Sequence, residues 1–264
     1  TIEPTNATIS NVADYAKTSL CFQIDPSESP IINFANTPYT PYTYSEIANA
    51  DISLETDINL TGTGLIGLTR DRMHSESNDT ISAEKCVFRG TFNGGGHTIT
   101  LDFGNSSDDV NSAWANDAVY QHCYIGLFGN LESATVQNVT LAGSINIVMA
   151  GRGDVYVGAV AGRLMGDITV DQVIVNTEFS YSGNQALYIG RLAGDAIKKT
   201  TKKANHMNIG SITVSRCEFN GDVTGDNSHS STCVGGVIGR INHGSNEAKT
   251  WSFSDITLSG KVNN

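Results

Sequence analysis

The sequence predicts an all-β chain, a right-handed, three-sided parallel β-helix with an N-terminal cap, and three observations carry that expectation. The first is a pattern written four times between Tyr124 and Val262, each copy opening on a short apolar run closed by glycine. The runs are Ile125-Gly126-Leu127-Phe128-Gly129, Gly158-Ala159-Val160-Ala161-Gly162, Gly190-Arg191-Leu192-Ala193-Gly194 and Gly235-Gly236-Val237-Ile238-Gly239. Their closing glycines stand 33, 32 and 45 residues apart, a period typical of solenoids. The second is column agreement in the segment after each glycine. Val136/Val170/Val214/Phe253, Val139/Val173/Cys217/Ile256 and Leu141/Val175/Phe219/Leu258 are apolar throughout, while Asn138/Gln172/Arg216/Asp255 between them are polar. A one-residue slip would bury the polar set, so the columns fix a register. The third is a short apolar segment ending each copy: Ile145-Asn146-Ile147, Phe179-Ser180-Tyr181, Val223-Thr224 and Val262. Three strands per turn without helical periodicity describe a β-helix, and parallel crossovers give it a right-handed sense.

Residues 1–44 carry no repeat and hold all five prolines, at 4, 26, 30, 38 and 41. They read as a loop-rich or short-stranded cap or lead-in, because an open solenoid end exposes core and unpaired backbone. The β-helix then spans 45–264, with clear copies over 124–264. Tyr44 to Ala50 is expected to form a short helix with Ser45 as N-cap. Ile52-Ser53-Leu54 and Asp57-Ile58-Asn59-Leu60 alternate as strands do. Polar residues 62–84 form a loop, and Val87 through Leu101 give two strands about the turn Gly94-Gly95-Gly96, where glycine supplies positive φ. A second polar insertion covers 104–121. Among the repeats, length varies mainly after the closing glycine, so insertions leave the solenoid at one corner. The longest holds Lys198-Lys199-Thr200-Thr201-Lys202-Lys203, read as a solvated loop ahead of an acidic-glycan site.

A net charge of −11 opposes nucleic-acid binding, which needs clustered cations. No apolar run reaches the length of a membrane span, so no membrane insertion by this segment is expected. Cys21, Cys86, Cys123, Cys217 and Cys233 form no CxxC pair and no cluster with histidine, so no metal site and no cofactor is expected. Cys217 occupies an inward position as a small hydrophobe. Cys123 and Cys233 read as one column three turns apart, about 14 Å, too far for a disulfide.

Gly126-Leu127-Phe128-Gly129 resembles the GLUG motif of large bacterial surface proteins. Gly90-Thr91-Phe92-Asn93-Gly94-Gly95-Gly96-His97-Thr98-Ile99 is similar to the segment that commonly precedes those repeats, and Asp57-Ile58-Asn59-Leu60 to its lead-in strand. Copies two to four carry an extra residue between their glycines, and Arg191 breaks the family's glycine-leucine pair. The resemblance covers about residues 42–262. It implies an extracellular bacterial cell-surface protein, adhesin-like, and supplies no catalytic residues.

Aligned by glycine, Tyr156 and Tyr188 share a column between inward neighbours, and alternation points their rings outward. At about 4.8 Å per turn the rings stack, as a platform for sugars, as simple self-stacking, or under a covering loop. One position past the closing glycines, Asn130, Arg163, Asp195 and Arg240 place an aspartate between two arginines, read as an exposed salt-bridge ladder. Asp108-Asp109, with Trp114, Tyr120 and His122 nearby, is the best place for an enzyme, because glycoside cleavage needs two carboxylates at fixed separation. Neighbouring strand residues face apart, so an acidic turn is the simpler reading. His97 follows a glycine turn and packs or caps there. No ordered threonine ladder, the mark of ice binding, is expected to persist through the columns.

The sequence thus favours a non-catalytic binding segment with no catalytic and no metal residues. Its speculative ligand-binding residues are Tyr156, Tyr188, Trp114 and Tyr120, and its partner is a host or environmental glycan or a protein ligand. A β-helix polysaccharide hydrolase or lyase is the alternative, and a structural stalk the second. The chain stops inside a fourth repeat, which reads as a fragment with further domains in the same chain.

Overall fold

The computed structural model describes residues 5–19, 42, 44–65, 67–69, 71–74, 87–104, 120–149, 154–197, 209–242 and 250–263. The fold is all-β, with parallel sheets that curl. Among the described residues one sheet holds 16 strands and a second holds five.

The columns read from the sequence pair as rows of one ladder. Val136 lies opposite Val170, Val170 opposite Val214, and Val214 opposite Phe253. The same ladder runs upstream through Phe92 and Ile52 to Ala7. Leu141, Val175, Phe219 and Leu258 make a second row set, and Ile145, Phe179, Val223 and Val262 a third. Up to the third repeat these side chains are buried and form one continuous core.

The polar column between them is a corner rather than a strand face. Asn138, Gln172, Arg216 and Asp255 all adopt left-handed backbone, with φ of 55°, 54°, 52° and 53°. A parity argument explains why. Val136 and Val139 are both buried, yet residues three apart on a straight strand face opposite ways. One left-handed residue turns the chain and restores the inward direction. Such a φ costs a side-chain-bearing residue about 1 kcal/mol or more. Gln172→Val, which adds β-branching there, will lose about 1–2 kcal/mol in urea unfolding, whereas Gln172→Asn will match wild type. Equal midpoints for the two variants would remove the corner from the account.

One row earlier the same corner is glycine, with Gly95 and Gly96 at φ 60° and 81°. The positive φ is as expected, but the flanking strands Thr91–Asn93 and Thr98–Phe103 do not form a hairpin. Both pair in parallel with Thr135–Met149. Nor does each repeat have only three straight runs. In the second repeat they are Asp154–Val157, 161–165, 168–171, 173–175 and Glu178–Gly183, with Ala161–Val175 one bent strand.

The N-terminal end is closed. Strand Asn6–Ile9 pairs with Asp51–Leu54, and helix Val12–Thr18, unforeseen in the sequence, packs Tyr15 and Ala16 into the core. Its start is capped reciprocally. Asp14 N donates to Asn11 Oδ1 at 2.9 Å, and Ser10 N donates to Asp14 Oδ2 at 3.0 Å. The second helix is Tyr44–Ile47, so Ser45 lies inside it rather than at its N-cap. Within the polar stretch 62–84, Asp71–His74 is a strand, pairing antiparallel with Tyr120–Ile125. In chain order the segments outside the described strands do not all follow the closing glycine: residues 198–208 and 243–249 come after closing strands, while 105–119 and 150–153 come before opening strands.

Two further features bear on stability. Arg191, which breaks the glycine-leucine pair, is fully buried. Its Nε donates to the Gly221 carbonyl, Nη1 to Gly236 at 3.1 Å and Nη2 to Lys261 at 3.0 Å. Burial pulls its pKa below the usual arginine value, with Asp222 and Glu178 opposing. Cys217 is buried as expected, and desolvation raises its thiol pKa.

Candidate functional site

The site is built where opening and closing strands fold onto each other. Opening strands Tyr120–Ile125, Asp154–Val157, Leu187–Gly190 and Cys233–Gly235 stack in the five-stranded sheet. Closing strands stack beside them, and their glycines explain the close approach. A Cβ on Gly162 would meet Tyr124 Cα and Ile125 N at 2.7 Å. One on Gly194 would meet Val157 N at 2.3 Å, and one on Gly239 would meet Ile189 N at 2.5 Å. The apolar run ends in glycine because the chain turns back and lays backbone on backbone.

Val155, Val157, Leu187 and Ile189 enter the main core, as alternation required. The tyrosines take the other side. Tyr124, Tyr156 and Tyr188 stack with centroids 4.8 and 4.9 Å apart and interplanar angles of 16° and 12°. Tyr124, beyond the pair expected from the sequence, pairs with Tyr156 as the first member of the column. The ladder is not the exposed surface expected. Tyr156 and Tyr188 are 3% and 7% exposed, because the folded-back closing strand covers them.

What covers them is the charged column. Arg163 lies 4.4 Å from the Tyr124 centroid and 5.0 Å from Tyr156, and Arg240 lies 3.8 Å from Tyr188. Asp195 sits between them as predicted, its Oδ2 accepting from Arg163 Nη2 at 3.1 Å and Arg240 Nη2 at 2.9 Å. The ladder is buried rather than exposed: Asp195 has no accessible surface and Arg163 is 7% exposed. Among the described residues, Asp195 Oδ1 and the Nε of both arginines have no hydrogen-bond partner. Tyr156 donates to Asp154 Oδ2 at 3.3 Å and accepts from Arg240 Nη2 at 3.4 Å.

Chemically this is a closed sandwich. Burial pushes the Tyr156 phenol above its ordinary pKa, with Asp154 adding to the shift and both arginines opposing, so it stays protonated at neutral pH. Arg163 is held above its usual value, since Tyr124, Asp195 and Tyr156 outweigh the desolvation that would lower it. The guanidiniums hold the ring stack by cation–π contact. The ring faces are occupied from within the chain, and the arrangement clamps the two strand layers together.

The other sequence candidates are dispersed. Trp114, Asp108, Asp109 and the Lys198–Lys203 run lie outside the described residues. Tyr120 begins its strand opposite His74. His97 is half-buried, its Nδ1 3.5 Å from Asp57 Oδ1. Cys233 pairs with Tyr188 in the tyrosine column, while Cys123 pairs with Val155 in the inward one. The two cysteines therefore face opposite sides rather than sharing a column.

A hydroxyl ladder does persist, against expectation. Thr91, Thr135, Thr169, Thr213 and Ser252 pair in register along the large sheet. Beside it run Asn93, Gln137, Asp171, Ser215 and Ser254. Thr169, Thr213, Ser252 and Ser254 are exposed. The signal was readable one residue before the first apolar column. Ser215 Oγ donates to Asp171 Oδ1 at 2.8 Å, and Arg216 pairs with the same carboxylate.

No protein-family model, curated protein or solved structure matches this chain.

Proposed function

We propose that this chain is a non-catalytic binding segment, folded as a right-handed parallel β-helix, that displays its outer sheet and corner loops to a glycan or protein partner. The observation that carries the reading is the in-register outer face of hydroxyl, amide and carboxylate groups on a ladder seven strands deep. Each hydroxyl both donates and accepts, which suits a sugar's own hydroxyls. The strands beneath are braced by a continuous core, so the array is rigid before a ligand arrives and little ordering entropy is lost. The tyrosine ladder clamps opening to closing strands, its rings covered by Arg163 and Arg240. Resemblance to GLUG-containing surface proteins supports an extracellular, cell-surface and adhesin-like setting, with further domains in the same chain.

A glycan array tests this directly, comparing wild type with Thr169→Val/Thr213→Val. Valine keeps the strand shape and removes two hydroxyls. Saturable binding that weakens about tenfold or more, about 1.4 kcal/mol, places the ligand on the ladder. Binding unaffected by the double variant moves the site to the corner loops. Absence of binding to any glycan leaves a protein ligand or a stalk.

A further inference from the structure

Two columns of the outer sheet face differ in what their side chains already do. The first runs Asn6, Asp51, Thr91, Thr135, Thr169, Thr213, Ser252, and the second runs beside it from Thr8 to Ser254. Groups of the second column are tied to the chain itself. Asn93 Oδ1 accepts from Gly95 N at 3.0 Å, and Asp171 Oδ1 accepts from Ser215 Oγ at 2.8 Å and Arg216 Nε at 3.0 Å. On the opposite flank of the first column, Asp167 Oδ1 accepts from Ser211 N at 2.8 Å. Between these flanks, among the described residues, the hydroxyls of Thr91, Thr135, Thr169, Thr213 and Ser252 enter no internal hydrogen bond. Their donors and acceptors remain available.

The spacing of these hydroxyls is set by the backbone. Neighbouring strands lie about 4.8 Å apart, so the run from Thr91 to Ser252 covers about 19 Å. Its register does not slip, since the shift between Gly166 and Ile168 lies before Thr169.

Resting on the glycan reading above, we propose that the first column binds a neutral, unbranched, equatorially linked polysaccharide lying along the ladder with one sugar per turn. An extended chain of equatorially linked pyranoses advances by nearly one strand spacing per sugar, so a contact made at Thr169 recurs at Thr135 and Thr213. Successive sugars in such a chain turn over, and a hydroxyl that both donates and accepts meets either edge. A coiled, axially linked chain falls out of step within a few rows. The carboxylates of Asp51 and Asp171 stand on this face, and the net charge is −11, so a polyanionic glycan is repelled. Neither column contains an aromatic residue, so the sugar is held edge-on by hydrogen bonds rather than by stacking. Each such contact is modest, and affinity comes from repeating it along one tethered ligand.

The test is calorimetry on the full chain with cello-, manno- and chito-oligosaccharides of two to six sugars, beside malto-oligosaccharides of the same lengths. In at least one of the first three series the dissociation constant is expected to fall about tenfold or more between three and six sugars. The malto series, coiled by its axial linkage, is expected to show no such gain. Thr169→Val/Thr213→Val interrupts the run, and its melting midpoint checks its fold. This variant is expected to bind six sugars no better than wild type binds three. The proposal is overturned if none of the three series gains with length, if the malto series gains equally, or if the variant binds six sugars as wild type does. A glycan array positive only for short or branched sugars would keep the wider glycan reading and sink this one. An array blank throughout would remove both.

Discussion

Asp195→Ala will lose about 3–5 kcal/mol of stability, the largest effect expected from a single polar substitution in this chain. The carboxylate is fully buried between Arg163 and Arg240. Removing it leaves two guanidiniums side by side under the tyrosine stack with their shared counter-charge gone. The loss measures an uncompensated buried charge and not the worth of the ion pairs. Asp195 Oδ1 and both Nε atoms already lack partners, so the wild-type cluster carries an uncancelled desolvation cost. The triple variant Arg163→Met/Asp195→Leu/Arg240→Met should therefore recover most of the stability that Asp195→Ala loses. Urea midpoints with unchanged slopes provide the comparison. An Asp195→Ala midpoint within about 1 kcal/mol of wild type would sink this account of the cluster.

Arg191→Ala comes second, with an expected loss of about 3 kcal/mol or more. Its guanidinium satisfies carbonyls of Gly221, Gly236 and Lys261, which belong to the third and fourth repeats. Glycine at 236 and 260 leaves the volume that the long side chain fills. Truncation opens a cavity and takes the guanidinium donor from the Gly221 and Gly236 carbonyls, while the Lys261 carbonyl keeps the Val223 N–H at 2.9 Å. Arg191→Lys will not rescue it, because a point ammonium cannot reproduce a planar fork reaching three directions. The damage should also be local, since stacked repeats are stabilised by their nearest neighbours. Amide exchange should accelerate over residues 233–263 while residues 135–149 keep their protection. Uniform protection in both stretches would show that Arg191 is not what fastens the last repeat.

Residues at constant spacing were the legible part of this molecule. Val136, Val170, Val214 and Phe253 announced their pairing because every row places the same kind of side chain on the same core. Asp195 between two arginines was readable for the same reason. What escaped was geometry within a row. Val136 and Val139 violate strand parity, and that violation encodes the left-handed corner at Asn138. The tyrosines read as surface because alternation assigns a side of a strand without saying what lies across from it. The closing glycines held that information, since a residue without Cβ is what a folded-back strand requires at contact. Helix Val12–Thr18 is too short for periodicity to reveal, and its cap pair Asn11 and Asp14 was the sole cue.

The corner between closing strand and long strand has a use in engineering. It is crossed by two residues in the first repeat, by none in the second, where the strand is continuous, and by eleven in the third, between Ile197 and Ile209. Ladder pairing on either side is kept in each case. Doubling a flexible connection raises its closure cost by about 0.6 kcal/mol. A foreign recognition loop of about twenty residues put in place of the eleven of the third repeat would thus cost less than a single buried methylene. New specificities can be installed at that junction while the folding information, held in the columns, is left untouched.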